Sequence, residues 1–150
     1  MTTLTARSVA VQPDPIAVAQ ALLGAGLGDV TLLHSAEGRG LSWIAAEPDA
    51  LSRRLDPLAE DAGEPASGPL GAAPRWIGIV PYEARREELE RPAWRGPDER
   101  DPPLCLTPEW RRYRAVIRVD AATGRVDAIG EDRAEVLRLG RLLERSNAPS

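Results

Sequence analysis

The spacing of apolar and polar residues changes along the chain between a period of two and a period of three to four, which predicts both strands and helices. In the strand-like segments, β-branched and apolar residues alternate with polar ones, and Gly, Pro or Asp residues separate the segments. One of these segments, residues 75–80, is apolar and is expected to form a central strand. We predict strands over residues 4–11, 29–36, 41–45, 75–80, 110–120 and 125–130.

Two longer segments follow helical spacing and carry clear start signals. Asp14 is a good N-cap with Pro15 at the first helical position, and the glycine-rich residues 24–28 end that helix. Asp132 caps a last helix over residues 133–145, whose valine and leucines cover one face.

Shorter signals complete the prediction of the fold. Asp49 can cap a short helix over residues 50–55, and residues 84–90 can form a helical turn. Residues 37–40 and 123–124 have the composition of hairpin turns. The whole pattern predicts an α+β fold of antiparallel sheets with about three helices.

The domain organisation follows from length and from two loop-like segments. A chain of 150 residues suits a single domain, so we assign residues 1–150 to one unit. Residues 57–74 are rich in Pro, Gly, Ala and Glu, and residues 92–108 contain five prolines. Both segments are therefore expected to be loops.

Composition excludes several classes of function. All 19 basic residues are arginine, so no lysine is available for a Schiff base or for a phosphate-binding loop. One His and one Cys cannot form a His/Cys zinc site, and the single Cys cannot form an intrachain disulfide. A net charge of -4 disfavours nucleic acid as a partner. With no membrane span or secretory signal in the sequence, we expect a cytoplasmic protein that has neither a nucleic-acid nor a membrane partner.

Candidate chemistry is sparse. His34 and Ser35 are neighbours in a predicted strand, where they would point to opposite faces and would not form a nucleophile–base pair. Cys105 lies between two leucines and is expected to be a buried thiol. The acidic residues within 83–101 alternate with arginines, which favours a solvated surface over a magnesium site, so no metal ligand is assigned. Trp94, among Pro and Arg residues, is a candidate interface anchor.

Three stretches, in this order, resemble one family. Residues 32–38 and 41–50 (LLHSAEG and LSWIAAEPDA) are similar to the family's "LLES" and "S-x-I-G-x-x-P-x-A" motifs. Residues 75–83 (RWIGIVPYE) resemble its "G-x-x-G-Y-[DE]" strand, and residues 113–126 resemble its "V-x-V-x-D-x-x-T-G-x-V" hairpin. The family is component I of anthranilate synthase and of aminodeoxychorismate synthase. The sequence around Pro81-Tyr82-Glu83 and the short 37–41 turn favour the aminodeoxychorismate branch.

The resemblance covers the family's N-terminal domain and implies its fold and a non-catalytic role. In the family, a following chorismate-binding domain carries the magnesium-binding glutamates, the catalytic lysines and the substrate pocket, which this chain lacks. By resemblance, the partners are that domain and a glutamine amidotransferase subunit. The whole enzyme aminates chorismate with glutamine-derived ammonia, in para-aminobenzoate (folate) or tryptophan biosynthesis. The chain alone is expected to be inactive and to hold no cofactor, magnesium belonging to the full enzyme.

The resemblance also implies a ligand pocket. In relatives the "LLES" strand lines a tryptophan site, and Leu33, His34 and Ser35 match it by position. His34 stands where the family has an acidic residue that pairs with the ligand's ammonium, so we expect poor tryptophan binding by this chain. Two alternatives stay open: a freestanding ligand- or protein-binding module with the same fold, and a small hydrolase that uses His34.

Overall fold

A computed structural model of the chain describes residues 3–35, 40–54, 73–80 and 108–147. These residues form eight strands and two helices, arranged as a five-stranded and a three-stranded antiparallel sheet. The α+β class predicted from sequence is therefore confirmed. The elements are β1 (Thr5–Ser8), α1 (Pro15–Gly24), β2 (Thr31–Leu33), β3 (Leu41–Ala45), β4 (Ala50–Ser52), β5 (Trp76–Ile79), β6 (Glu109–Arg112), β7 (Ala115–Asp120), β8 (Arg125–Gly130) and α2 (Arg133–Ser146).

Both helices pack on one face of the larger sheet, whose strand order is β1-β8-β7-β3-β2. Alternate residues of β7 point to this face, because successive side chains of a strand point to opposite sides. Ile117 and Val119 thus meet Leu22 of α1 and Leu139 of α2 in the main core, each at most 1% exposed. Burying a side chain of this size contributes roughly 1.5–3 kcal/mol, so this layer is the main source of stability.

The two helix starts confirm the capping predictions. The carboxylate of Asp14 accepts hydrogen bonds from two backbone N–H groups of the first turn of α1, at 2.9 and 3.3 Å. Asp132 does the same for α2, at 2.9 and 3.2 Å. Helix α1 ends at Gly24, and Gly26 then turns the chain with a φ of 83° that favours glycine.

The smaller sheet, of order β4-β6-β5, lies against the other face of the larger sheet at one end. Ile77 of β5 and Tyr113 pack there against Ala45 of β3 and Val116 of β7. The Tyr113 hydroxyl is 3.0 Å from Oγ1 of Thr31 on β2. The chain passes between the two sheets from β3 to β4 and again from β6 to β7, which ties them together.

Some local predictions are wrong. The short helix over 50–55 is replaced by β4, which pairs with β6 from Ala50↔Arg112 to Ser52↔Trp110. This pairing satisfies the backbone in place of a helix. Strand β5 is at the edge of the smaller sheet rather than central. The strand predicted over 110–120 is two strands, because residues 113 and 114 carry the chain from one sheet to the other.

Other predictions fall largely outside the described residues. The helical turn over 84–90 lies there, so the described residues contain two helices rather than about three. Of the loops predicted over 57–74 and 92–108, the structure describes residues 73–74 and 108.

Asp49 connects the two segments in which the chain passes from one sheet to the other, between β3 and β4 and between β6 and β7. Its carboxylate, 14% exposed, accepts hydrogen bonds at 3.0 Å from Nε and Nη2 of Arg112 and from Nε of Arg114. Its backbone N–H also donates to the Arg112 carbonyl at 3.0 Å. The hydrogen bond from Arg112 holds the pKa of Asp49 below its ordinary value, against the opposing effect of burial.

We expect Asp49→Asn to lower the free energy of unfolding at neutral pH by about 1–2 kcal/mol, because it removes charge-assisted hydrogen bonds at a partly exposed site. Because the pKa of Asp49 is lowered in the folded state, the carboxylate stabilises the fold above the unfolded pKa of about 4. This stabilisation is lost as the pH falls through the folded-state pKa.

Urea unfolding of both proteins across this pH range measures the difference, which should be constant near neutrality and shrink in acid. Asp29→Asn is a suitable control, because the Asp29 side chain is 59% exposed and pairs with Arg111 at 3.0 Å. An Asp49→Asn deficit that persists unchanged in strong acid would contradict this role of the carboxylate.

Candidate functional site

The residues matched to the family's ligand pocket lie at the end of β2, beside β3. Leu33 is the last residue of β2, is 44% exposed, and stands opposite Trp43 of β3. His34 and Ser35 follow the strand end, and both are held by one hydroxyl. Nδ1 of His34 and the backbone N–H of Ser35 each lie 3.1 Å from Oγ of Ser42.

The Ser42 hydroxyl holds His34 in place, but the two side chains do not act as a nucleophile–base pair. The Ser42 hydroxyl accepts from the Ser35 N–H, so its own proton can be donated to Nδ1 of His34. Ser42 is only 1% exposed, so a substrate could not reach its Oγ. No carboxylate hydrogen bond to His34 is found among the described residues. The arrangement anchors the end of β2 to β3 and gives the hydrolase hypothesis no support.

We expect Ser42→Ala to destabilise the protein by about 1–3 kcal/mol, because it leaves the Ser35 N–H and Nδ1 of His34 without their partner. Thermal and urea unfolding measure the change. Ser8→Ala is the matched control, since Ser8 is exposed on the opposite edge strand and should change stability by less than about 0.5 kcal/mol. Equal stability of the two variants would show that the Ser42 hydroxyl does not hold this strand end.

A single row of side chains crosses the larger sheet on the face away from the helices. The pairings Leu33↔Trp43, Trp43↔Arg118, Arg118↔Asp127 and Asp127↔Ser8 connect one edge strand to the other. Directly opposed residues in antiparallel strands share a face, with Cβ atoms roughly 5 Å apart. The predicted pocket residue Leu33 is therefore one end of a longer row that contains an aromatic ring and an ion pair.

The ion pair in this row is largely buried. Nη2 of Arg118 is 2.7 Å from Oδ2 of Asp127, whose side chain is 2% exposed, while that of Arg118 is 18% exposed. Arg125 adds a second, more exposed donor to Asp127 at 3.3 Å. Nε of Arg118 is buried and has no hydrogen-bond partner within the described segments. The charge of Asp127 is thus well compensated, while one donor of Arg118 remains unused.

Next to the ion pair, the same face exposes apolar side chains at the β2–β3 edge. Leu33 and Leu41 are 44% and 43% exposed, and Trp43 lies between them on β3 and packs partly against the second core. We call Leu33, Leu41 and Trp43 the edge patch. Its composition suits contact with an apolar surface.

Some candidates cannot be placed on this face. Trp94, Cys105 and the acidic residues within 83–101 lie outside the described residues. Across the four described segments, no three His, Cys, Asp or Glu side chains come together as a metal site would require. Neither of the described helices has the length and apolar character needed to cross a bilayer.

Sequence reasoning missed Arg118, Asp127 and Ser42. The alternation of apolar and polar residues in β7 and β8 carries a signal for Arg118 and Asp127. Arg118 stands between Ile117 and Val119, and Asp127 stands between two apolar residues. Charged residues at the same phase of two hairpin strands indicate a cross-strand pair. Comparison of the chain with protein-family models and with curated proteins finds no match.

Proposed function

We propose that this chain is a non-catalytic domain of a chorismate-aminating enzyme, similar to the N-terminal domain of aminodeoxychorismate synthase component I. It packs on a chorismate-binding domain and helps to bind the glutamine amidotransferase subunit. That other domain holds the magnesium and the groups that transfer ammonia to chorismate, so no chemical step uses residues of this chain. The anthranilate synthase branch, which serves tryptophan synthesis, is the alternative within the same family.

The pairing of family-like stretches that are far apart in sequence supports this proposal. The "LSWIA" strand β3 pairs with β7 of the "V-x-V-x-D" hairpin from Leu41↔Asp120 to Ile44↔Ile117. With β2 and β8, these stretches supply four of the five strands of the larger sheet. A chance likeness of short stretches would not require them to be neighbours, whereas segments of one family domain would share a core.

The edge patch is the surface that we assign to the chorismate-binding domain. Two leucines more than 40% exposed beside a tryptophan form an apolar surface of the kind that proteins bury in stable contacts. Burying it contributes roughly 25 cal/mol for each Å² of apolar area. Arg125, which is 63% exposed on the same face two strands from Leu41, offers a donor to the polar rim of such an interface.

A freestanding ligand-binding module is the second candidate. Leu33 and Leu41 beside Trp43, together with the exposed Arg125 on the same face, would suit a ligand with an aromatic group and a carboxylate. Tryptophan has both groups, but the predicted pocket offers exposed His34 where an acidic partner for its ammonium would be needed. Titration calorimetry with tryptophan should therefore show no binding to the chain alone, and micromolar binding would favour the module.

Reconstitution of chorismate amination tests the proposal. A chorismate-binding domain of an aminodeoxychorismate synthase, purified separately, is assayed with chorismate, magnesium and ammonium chloride while this chain is added. The rate should rise and saturate with the concentration of the chain. The double variant Leu33→Asp/Leu41→Asp should require at least about tenfold more chain for half of the effect, since two charges now enter an apolar contact.

Ile16→Asp/Leu23→Asp is the matched control, because these α1 side chains are 51% and 58% exposed on the helix side of the sheet. It should stimulate the rate as the unmodified chain does. A rate that does not respond to the chain would overturn the proposed function, and an equal loss in both double variants would overturn the assignment of the edge patch.

A further inference from the structure

The helix layer, on the opposite side of the sheet from the edge patch, contains a groove. It has a volume of about 610 Å³ and runs along the outer face of α2 next to the end of α1. Its apolar lining comes from Ala25, Ala134, Leu137 and Leu142. Positions 134, 137, 138, 141, 142 and 145 recur at helical spacing, so one continuous stripe of α2 forms the groove.

This stripe is basic although the chain is acidic. Helix α2 contains four arginines and two glutamates, while the whole chain has a net charge of -4. Both glutamates are already paired: Glu144 lies 2.7 Å from Arg7, and Glu135 contacts Arg138. The acidic residues of the helix therefore do not neutralise the arginines that remain.

Two arginines at the rim of the groove are free of ion pairs with the part of the chain that the structure describes. Arg138 is occupied by Glu135 and Glu47, whose carboxylates raise its pKa. Arg141 and Arg145 are exposed and have no ion-pair partner among the described residues. An arginine without a protein partner can pair with a carboxylate of another molecule without first breaking an internal bond.

The two free arginines are not equivalent. Arg145 lies in the last turn of α2, where the carbonyl ends of the helix dipole attract a cation and partly compensate its charge. Arg141 is one turn earlier and has less of this compensation. An anionic group in the groove should therefore depend more on Arg141.

We propose that this groove binds an acidic amphipathic helix of a partner protein, whose leucine-like side chains contact Leu137 and Leu142 and whose carboxylates pair with Arg141 and Arg145. An apolar floor with cations along the rim is complementary to a helix that is apolar on one face and acidic beside it. This site is independent of the edge patch and of the function proposed for it.

Fluorescence anisotropy with a labelled synthetic peptide of about 15 residues tests the site. The peptide has Leu at i, i+3, i+4 and i+7 spacing and Glu at flanking positions, and a matched peptide has Lys in place of every Glu. The chain should bind the Glu peptide and bind the Lys peptide at least about tenfold more weakly. Amide shifts in an NMR titration should map to α2 around Leu137 and Leu142.

Charge-reversal variants identify the arginines. Arg141→Glu should weaken binding of the Glu peptide more than Arg145→Glu does, and the double variant should reverse the preference toward the Lys peptide. Arg133→Glu is the matched control, because Arg133 is exposed on the same helix but does not line the groove. Circular dichroism checks that α2 remains folded in each variant.

Several outcomes would overturn the proposal. These are failure to bind the Glu peptide, equal affinity for both peptides, or binding that Arg141→Glu leaves unchanged. Self-association of the chain that Leu137→Asp abolishes, without peptide binding, would assign the groove to a second copy instead.

Discussion

Replacing Asp127 with alanine is expected to destabilise the protein by about 3–5 kcal/mol, which is a large share of the stability of a domain of this size. The reason is the Arg118 guanidinium, whose side chain is 18% exposed and which pairs with Asp127 at 2.7 Å. Without Asp127, a largely buried cation loses its hydrogen-bonded counter-charge. Urea unfolding followed by tryptophan fluorescence measures the loss.

Two controls separate the missing charge from the missing side chain. The double variant Arg118→Met/Asp127→Leu removes both charges, and apolar pairs of similar volume often replace buried ion pairs at little cost, so it should recover most of the stability. Arg125→Ala removes a donor whose side chain is 63% exposed and should cost less than about 1 kcal/mol. If the double variant were as unstable as Asp127→Ala, the unpaired charge of Arg118 would not be the cause.

Leu139→Ala is expected to cost about 2–5 kcal/mol, because it leaves a cavity between α2 and the larger sheet. Leu139 is 1% exposed and lies in the main core with Ile117 and Val119. The loss should appear as a lower urea midpoint with an unchanged slope, since the same surface is exposed on unfolding.

Leu137→Ala is the matched control on the same helix. Leu137 is only partly buried and lines the groove, so its truncation should cost less than about 1 kcal/mol. The pair thus distinguishes the buried face of α2 from its outer face. Similar losses for both variants would mean that α2 does not pack on the sheet through Leu139.

The sequence predicts correctly those elements whose start or end depends on neighbouring residues alone. Asp14 and Asp132 start their helices as expected, because an N-cap depends on a few neighbouring backbone groups. The predicted limits of β3 and β8 agree with the observed ones, since alternation and turn residues mark both ends. The α+β class follows from these elements together.

Predictions fail for elements whose structure depends on pairing partners that are distant in sequence. Asp49 has the chemistry of an N-cap, but its carboxylate binds Arg112 and Arg114, more than 60 positions away. The break between β6 and β7 leaves the apolar alternation intact, so periodicity cannot show that the chain changes sheet there. The local sequence does not specify on which sheet a strand will pair.

The candidate site, too, depends on strand pairing that the local sequence does not specify. The family-like motif identifies Leu33, His34 and Ser35, but their surroundings depend on register. Ser42 and Arg118 join them only because β3 pairs with β2 on one side and β7 on the other. The pairing of Arg118 with Asp127 could have been inferred, because the two residues have the same phase in the alternation of β7 and β8. Their position in one row with Trp43 depends on the order of the strands in the sheet.

Sedimentation velocity of a mixture of this chain with a separately purified chorismate-binding domain tests directly whether the two form a complex. A faster-sedimenting one-to-one complex is expected at micromolar concentration, which Leu33→Asp/Leu41→Asp dissociates and Ile16→Asp/Leu23→Asp leaves intact. Two species that sediment independently at every concentration would contradict the proposal that this chain is a docking domain of a chorismate-aminating enzyme.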